Sequence, residues 1–272
     1  MIIRKFNFIL IALVLVSCSK FNRIQKKGTY EEKLQAAMEY YDDEDYHKAG
    51  ILLEQVTPYL SGKSEAEKAH FYYAYTQYKQ KSYTMSAYYF RKFFKTYPRS
   101  NYAQEALFMH ARSLYLLSPK SSLDQQNTYD AIKAFHSYLT KYPDTQRKEE
   151  ANAYVDELYT KLERKDYENT KLYHTTRRYK AAIVAIDNFR NNNPSSKFNE
   201  ELLFLKLEAQ YEYAKKSVEI AMEEGKVIHV QDQRYRKALE FYRKFVDFYP
   251  ESKYIKKAEH YHDLIVKKLE NS

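Results

Sequence analysis

Few residues of this chain have the types and spacing that catalysis or metal binding requires. Cys18 is the only cysteine, so the chain cannot form an internal disulfide. His260 and His262 are the one close pair of histidines, but side chains two positions apart on a helix point in diverging directions. Neither an H-E-x-x-H zinc motif nor a G-x-S-x-G nucleophile motif occurs. We therefore expect no catalytic site, no metal site and no cofactor, and a protein that is not an enzyme.

Cys18 itself follows a segment with the form of a secretory signal. Arg4 and Lys5 precede an apolar run over residues 6–16, which is shorter than the roughly 20 residues that span a bilayer. The tetrapeptide ending at Cys18, Leu-Val-Ser-Cys, resembles the bacterial lipobox. This resemblance implies that the signal peptide 1–17 is removed, and that Cys18 carries a diacylglycerol on its sulfur and an N-linked acyl chain such as palmitate. Several acyl chains give stable anchoring. The alternative is an ordinary signal peptide beside an incidental cysteine.

Residues 18–28 are expected to form a lipidated tether, because the stretch is polar and basic and shows no apolar period. Ser19, rather than an aspartate, follows the lipobox cysteine, which resembles lipoproteins sent to the outer membrane. No acidic cluster follows, so the surface-export signal of some Bacteroidetes lipoproteins is not evident. We therefore expect a lipid-anchored protein on the periplasmic face of the cell outer membrane.

Composition indicates an all-α protein. The chain has only four glycines, which excludes a glycine-rich phosphate loop and disfavours an all-β fold with its many turns. Alanine, leucine, glutamate, lysine and glutamine, which favour helices, are plentiful. The formal net charge is +9, but the cations are spread among acidic residues rather than gathered in the compact cluster of a nucleic-acid surface. Nucleic acid is therefore not an expected partner.

A repeated helix that ends near a proline organises the chain. In residues 129–143, Ala131, Phe135, Tyr138 and Pro143 are spaced 4, 3 and 5 residues apart. The first three share one helical face, and the proline ends the helix because it lacks an N–H group. The same spacing recurs at Ser86, Phe90, Phe93 and Pro98, at Ala182, Ile186, Phe189 and Pro194, and at Ala238, Tyr242, Phe245 and Pro250. A looser copy is Ala49, Leu53 and Val56.

Each copy follows a leading helix, and the pairs resemble tetratricopeptide repeats. The resemblance implies a right-handed superhelix of about five helix pairs. We assign repeats 1–3 to residues 29–145, and repeats 4–5 with a C-terminal capping helix to residues 146–272.

The stretches between these helices lack the repeated spacing. Polar insertions are expected at 118–128 and 223–233. The sequence has no proline or glycine between 145 and 177, which leaves open whether one long helix or two helices form there. Ser64, with Glu67 three residues later, has the spacing of a helix capping box.

Two local motifs narrow the resemblance to one family. The first spans residues 124–145, and its matching positions are Asp124, Thr128, Ala131, Ile132 and Phe135. The second spans residues 167–189, and its matching positions are Tyr173, Tyr179, Lys180, Ala181 and Ala182. With the lipobox and the repeats, these motifs resemble the BamD family of the β-barrel assembly machinery, and we expect the Bacteroidetes type. Arg177-Arg178 stands where this family often has Arg-Gly, so the form of that turn is open and no interface arginine is assigned.

The resemblance implies a scaffold that binds unfolded outer-membrane proteins and the periplasmic repeat domains of the barrel subunit, and so promotes folding and insertion. In this family the N-terminal half is thought to receive the C-terminal signal of unfolded outer-membrane proteins, which ends in an aromatic residue and a carboxylate. The candidate groove residues here are Tyr41, Phe71, Tyr75 and Tyr78, with Lys68 and Lys79 near enough to attract a carboxylate. The alternative is that these rings only pack repeat one on repeat two. The C-terminal half resembles the part that docks the barrel subunit, with 223–233 as a candidate contact.

Two other functions remain open at this point. The chain could be another tetratricopeptide lipoprotein of the envelope, such as a secretin pilot or a cell-division coordinator. Pilots lack the motif at 124–145, and coordinators usually carry an N-terminal coiled coil that is not evident here. A glycan-binding lipoprotein is less favoured, because such proteins are tryptophan-rich at the sugar site and this chain has no tryptophan.

Overall fold

The computed structural model describes residues 20–223 and 229–271, and within these ranges it contains helices and no strand. The prediction of an all-α fold is therefore confirmed. The helices are α1 (20–27), α2 (Tyr30–Asp42), α3 (Tyr46–Val56), α4 (Ala66–Lys79), α5 (Tyr83–Thr96), α6 (Ala103–Leu117), α7 (Gln126–Lys141), α8 (Lys148–Thr175), α9 (Tyr179–Asn192), α10 (Asn199–Glu223), α11 (His229–Phe248) and α12 (Ile255–Glu270). A 3-10 turn, Thr57–Tyr59, extends α3. None of the described helices is both long enough and apolar enough to cross a membrane.

The chain forms two compact units, which divide within α8 between Tyr159 and Thr160. In the first unit, successive helices from α2 to α7 pack on one another in chain order. In the second unit, α9 packs on α10, α10 on α11, and α11 on α12. Contact mainly between neighbours along the chain is typical of repeat proteins. The handedness of the array and the number of repeats stay predictions.

The repeated apolar positions form the cores of these units. Nearly all of the spaced residues are almost fully buried: Ser86, Phe90, Phe93, Ala131, Phe135, Tyr138, Ala182, Ile186, Phe189, Ala238 and Phe245. Tyr242 is the exception and is only partly buried. The spacing therefore identified the buried face of α5, α7, α9 and α11 correctly, because residues 3 and 4 apart lie on one side of a helix.

A turn with a serine or threonine hydroxyl follows each of the four full copies of the repeated spacing and leads into the next helix. We call this turn a corner. Ser100, Thr145, Ser196 and Ser252 lie two residues after the prolines. Each hydroxyl oxygen accepts a hydrogen bond from the backbone N–H two residues further on, at 3.0–3.2 Å. Such local bonds favour turns over a continuing helix.

A planar side chain at the end of each corner stacks on an aromatic residue of the preceding leading helix. The ring centroids are 4.4 Å apart for Tyr102 and Phe71, 4.0 Å for Phe198 and Tyr167, and 4.9 Å for Tyr254 and Phe204. The Arg147 guanidinium carbon lies 4.5 Å from the centroid of the Phe108 ring. Arg147 is the one arginine among these four. The corners thus fix how each repeat packs on the next within its unit.

Three turns inside helix pairs use a left-handed residue that is not glycine. Glu44, Lys81 and Arg177 have φ of 61°, 61° and 58°. Helices commonly end on such a residue, and glycine is favoured there because it has no Cβ. At Arg177-Arg178 the N–H of Arg178 donates to the carbonyl of Tyr173 at 2.9 Å, which closes the turn without glycine.

The structure corrects three expectations and settles one open point. Residues 20–27 of the expected tether are helical, and α11 begins at His229, inside the insertion expected at 223–233. Ser64 does not cap α4, because its hydroxyl donates to the Glu65 carboxylate at 2.9 Å. The segment after Pro143 forms one long helix, α8, rather than two.

Candidate functional site

The four aromatic residues singled out in the sequence lie in one cluster in the first unit. The Tyr41 ring contacts Tyr72 with centroids 4.7 Å apart, and Tyr72 contacts Phe71 at 5.8 Å. Phe71 also contacts Tyr75 at 5.0 Å, and Tyr75 contacts Tyr78 at 6.4 Å. We call these five residues the aromatic cluster. It joins the C-terminal end of α2 to one face of α4, so its members come from two leading helices.

The members of the aromatic cluster differ in how much they show to solvent. Phe71 is only 6% exposed and lies beneath the surface, so it supports the cluster and is not available to line a groove. Tyr41, Tyr75 and Tyr78 are partly exposed. Burial raises the pKa of Tyr41 to about 12, with smaller contributions from Tyr46 and Tyr72. These phenols therefore stay neutral at physiological pH and can donate hydrogen bonds.

A hydrogen-bonded chain fixes the middle of the cluster. The Tyr75 hydroxyl donates to Oε1 of Glu105 on α6 at 2.5 Å. The other oxygen of Glu105 pairs with Nη2 of Arg147 at 3.0 Å, and the Arg147 guanidinium covers the Phe108 ring. Burial, and then the bond to Glu105, raise the pKa of Tyr75. Because charge-assisted bonds are stronger than neutral ones, this chain orients the Tyr75 ring.

Cations lie against the rings of this region. The Lys68 ammonium is 5.8 Å from the Tyr72 ring centre, and Lys79 is 5.3 Å from that of Tyr46. Arg112 of α6 lies 5.8 Å from the Tyr78 ring centre, and the structure shows no salt bridge between Arg112 and any described carboxylate. Cations over aromatic faces are attracted by the ring quadrupole, and Arg112 keeps its hydrogen-bonding capacity for a ligand. Arg112 was not identified from the sequence, because only the fold brings α6 beside Tyr78.

The first sequence motif positions the loop before α7. Oδ1 of Asp124 accepts the N–H of Gln126 at 2.9 Å, as a local turn at the start of the helix. Gln125 is 3% exposed, and its amide donates to two loop carbonyls at 2.8 and 2.9 Å. The fully buried Thr128 donates to Oε1 of Gln125 at 2.7 Å. The Asp and Thr of this motif therefore hold the loop shape rather than face a ligand.

The second motif lines a cleft of about 720 Å³ in the second unit. Its walls come from the end of α8, the start of α9 and the side of α10, and the lining residues are Tyr173, Arg177, Arg178, Tyr179, Lys180, Ala181, Val184, Ala185, Asn188, Tyr213, Lys216 and Ser217. The lining includes four cations and no acidic residue. Val184 is 56% exposed and Tyr173 is 40% exposed. The cleft therefore combines apolar walls with positive charge, which suits an acidic segment that carries an apolar side chain.

A polar network borders this cleft. Glu208 accepts a hydrogen bond from the Tyr261 hydroxyl at 2.7 Å and lies 3.4 Å from Nε2 of His174. The contact with His174, and then that with Tyr261, lower the pKa of Glu208 against the opposing effect of burial. Lys216 lies 5.1 Å from the Tyr179 ring centre. The network holds the end of α8 and α12 against α10.

The histidines that are close in sequence, His260 and His262, lie on α12. Nδ1 of His262 lies 3.2 Å from Asp263, and its ring lies 4.6 Å from that of Tyr242, whereas the nearest ring contact of His260 is with Tyr261. Within residues 20–223 and 229–271, no group of three potential ligands could hold a metal ion. Cys18 and the signal peptide lie outside the described residues, so their predicted roles stay predictions.

Comparison with known proteins gives a family match over much of the chain. Residues 26–209 match the family described as YfiO, outer membrane lipoprotein. This match covers more than half of the chain and includes the aromatic cluster and most of the second-unit cleft. No curated protein matches the chain.

Proposed function

Because the chain belongs to the YfiO family of outer membrane lipoproteins, we propose that it is a scaffold of β-barrel assembly. In this role it faces the periplasm and is anchored in the outer membrane through acyl chains on Cys18. It binds unfolded outer-membrane proteins and the periplasmic repeat domains of the barrel subunit, and it promotes folding and insertion by recognition rather than by catalysis. The observation that carries the ligand-binding part is the aromatic cluster, with Arg112 placed against its outermost ring.

The aromatic cluster supports binding of a peptide that ends in an aromatic residue and a carboxylate. Tyr41, Tyr75 and Tyr78 are partly exposed rings with neutral hydroxyls, and tyrosine gives a large contact area at low conformational-entropy cost. Arg112 can bind a terminal carboxylate with two parallel hydrogen bonds, which a lysine cannot do. The Glu105–Arg147 pair keeps the Tyr75 ring oriented before the ligand arrives. Such preorganisation reduces the entropy cost of binding.

Binding of synthetic peptides to the mature protein tests this site. A peptide with a C-terminal phenylalanine and a free carboxylate should bind about tenfold more tightly than the same peptide with a C-terminal amide. Arg112→Gln should weaken binding of the free acid by a similar factor and leave binding of the amide unchanged. Tyr78→Ala should weaken binding of both the free-acid peptide and the amide peptide. The control is Tyr88→Ala on α5, which removes a tyrosine that is 57% exposed outside the cluster.

Two results would contradict this assignment. One is equal affinity of the protein for the acid and the amide. The other is an effect of Tyr88→Ala as large as that of Tyr78→Ala, which would show that any exposed ring binds the peptide nonspecifically.

The second-unit cleft is the surface that we propose for the barrel subunit. An acidic segment of a periplasmic repeat domain would pair with Arg177 and Lys216, while an apolar side chain would lie on Tyr173 and Val184. Charge complementarity of this kind favours specificity and a fast association rate. Arg177→Glu with Lys216→Glu should therefore weaken docking steeply. The matched control is charge reversal of Lys256 and Lys267, which are exposed on α12.

A further inference from the structure

The first helix has two faces with different surroundings. Phe21 and Ile24 of α1 pack against the core of the first repeat. The Phe21 ring contacts Tyr40 edge-on, with centroids 5.7 Å apart. Lys20 forms a salt bridge with Glu39 of α2 at 3.5 Å. These contacts join α1 to α2 and α3, so α1 is part of the first repeat rather than a free linker.

The opposite face of α1 is basic and has no partner among the residues that the structure describes. Arg23, Lys26 and Lys27 are exposed. At about 100° per residue, Arg23 and Lys26 project from the side that faces away from Phe21 and Ile24, and Lys27 lies at the border of that side. Among the residues that the structure describes, none of their side chains forms a hydrogen bond or a salt bridge. Three cations are thus displayed together on a helix whose other side is fixed in the core.

The position of Cys18 brings this basic face close to the membrane. Lys20 lies only two positions after Cys18, and an extended chain spans at most about 7 Å over two residues. The helix itself adds about 10 Å between Lys20 and Lys27, at about 1.5 Å per residue. The electrostatic screening length at physiological salt is about 8 Å. A helix that lies along the surface therefore keeps all three cations within reach of lipid phosphates.

We propose that the basic face of α1 lies on anionic phospholipid headgroups and fixes the orientation of the first repeat relative to the bilayer. This inference rests on the proposed acylation of Cys18 and goes beyond it, since an acyl chain alone leaves the protein free to rotate about its linker. Charge complementarity identifies the partner as an anionic lipid surface. The acyl chains on Cys18 would already give stable anchoring, and a short basic segment beside them adds an attraction to anionic lipid that sets the orientation. The aromatic cluster, which lies in the same unit, would then be presented at a fixed height above the membrane.

A single tryptophan can report this arrangement, because the natural chain contains none. The exposed Asn22 lies on α1 beside the basic face, so Asn22→Trp provides a unique fluorophore whose emission maximum moves to shorter wavelength when the ring enters the headgroup region. The experiment uses the mature acylated protein in vesicles of phosphatidylcholine, with and without phosphatidylglycerol. The charge variant is Arg23→Glu, Lys26→Glu and Lys27→Glu, and the matched control is Lys256→Glu, Lys257→Glu and Lys267→Glu on α12.

The inference predicts this blue shift of the emission only when anionic lipid is present and the α1 cations are intact. Loss of the three cations should lower the ratio of molecules with α1 on the anionic surface to molecules with α1 away from it roughly hundredfold. The α12 control variant should give the same signal as the protein that carries only Asn22→Trp.

A blue shift that does not depend on phosphatidylglycerol or on the α1 charges, or no blue shift at all, would overturn the inference. Mass spectrometry of the mature chain distinguishes this failure from failure of the proposed anchoring. An acylated Cys18 with a charge-independent or absent blue shift overturns only the role of α1. A chain without acyl groups overturns both the anchoring and the inference that rests on it.

Discussion

Replacing Tyr75 by phenylalanine removes one hydroxyl group and leaves the aromatic ring in place. In the folded protein this hydroxyl donates to Oε1 of Glu105 at 2.5 Å. Hydrogen bonds to charged groups contribute about 1.5–3 kcal/mol. The Glu105 side chain is 28% exposed and also pairs with Arg147, so water and Arg147 would partly satisfy the vacated oxygen. We therefore expect Tyr75→Phe to lower the free energy of unfolding by about 1–2 kcal/mol.

Urea denaturation of the mature protein measures this loss, provided that the slope of the unfolding free energy against urea concentration stays constant. The matched control is Tyr78→Phe, since Tyr78 lies on the same helix and its hydroxyl forms no hydrogen bond with the described residues. This control should change the stability by less than about 0.5 kcal/mol.

A double-mutant cycle with Glu105→Ala isolates the bond itself. The structure predicts a coupling energy of about 1 kcal/mol or more between the hydroxyl and the carboxylate. A coupling energy near zero, or equal losses in Tyr75→Phe and Tyr78→Phe, would refute the view that Glu105 orients the cluster.

Three further changes test other parts of the structure. Lys81→Gly should raise the free energy of unfolding by about 0.5–1 kcal/mol, because Lys81 has φ of 61° and glycine avoids the Cβ strain there; a lower melting temperature would contradict this. Gln125→Ala should speed amide hydrogen exchange in residues 118–125, because it removes both bonds from the buried side-chain amide to the loop; unchanged exchange would show that the loop is held otherwise. The pKa of Glu208 is lowered in the folded state, so its contribution to stability is present above its unfolded pKa, near 4.5, and is lost as the pH falls through the folded value. Glu208→Gln should therefore be less stable than the natural protein at pH 7, with a difference that shrinks under acid in urea titrations; a difference independent of pH would contradict the assignment.

The sequence predicted the helices well because their signals are local and repeated. A spacing of 4 and 3 residues defines a buried face, and each proline ends a helix, so α5, α7, α9 and α11 were expected close to where they lie. The single helix α8 was left open, because an absence of proline and glycine does not distinguish one helix from two with a tight turn between them.

The sequence failed where short segments depend on the rest of the fold. Only Phe21 and Ile24 are apolar in α1, and two positions are too few to show a helical period. Their burial comes from contact with the first repeat, which stabilises a helix that would be marginal alone. At Arg177 no glycine marks the left-handed turn, so its conformation was not evident from residue type.

The candidate site was predicted in part. Tyr41, Tyr75 and Tyr78 were expected together because the leading helices of a tetratricopeptide array line one face, and they do lie in one cluster. Phe71 was expected to face a ligand but is buried under Tyr102, because residue type does not separate a core ring from a surface ring. Arg112 and Arg147 were missed, since their neighbours in the cluster are distant in sequence.

The most direct test of the proposed function is affinity purification of a C-terminally tagged protein from native outer membranes, followed by mass spectrometry. We predict recovery of a large β-barrel protein with repeated periplasmic domains at a near equal ratio, and loss of that protein with Arg177→Glu and Lys216→Glu. Recovery of a secretin or a peptidoglycan synthase without such a barrel protein would contradict the assembly role and indicate a different lipoprotein of the envelope.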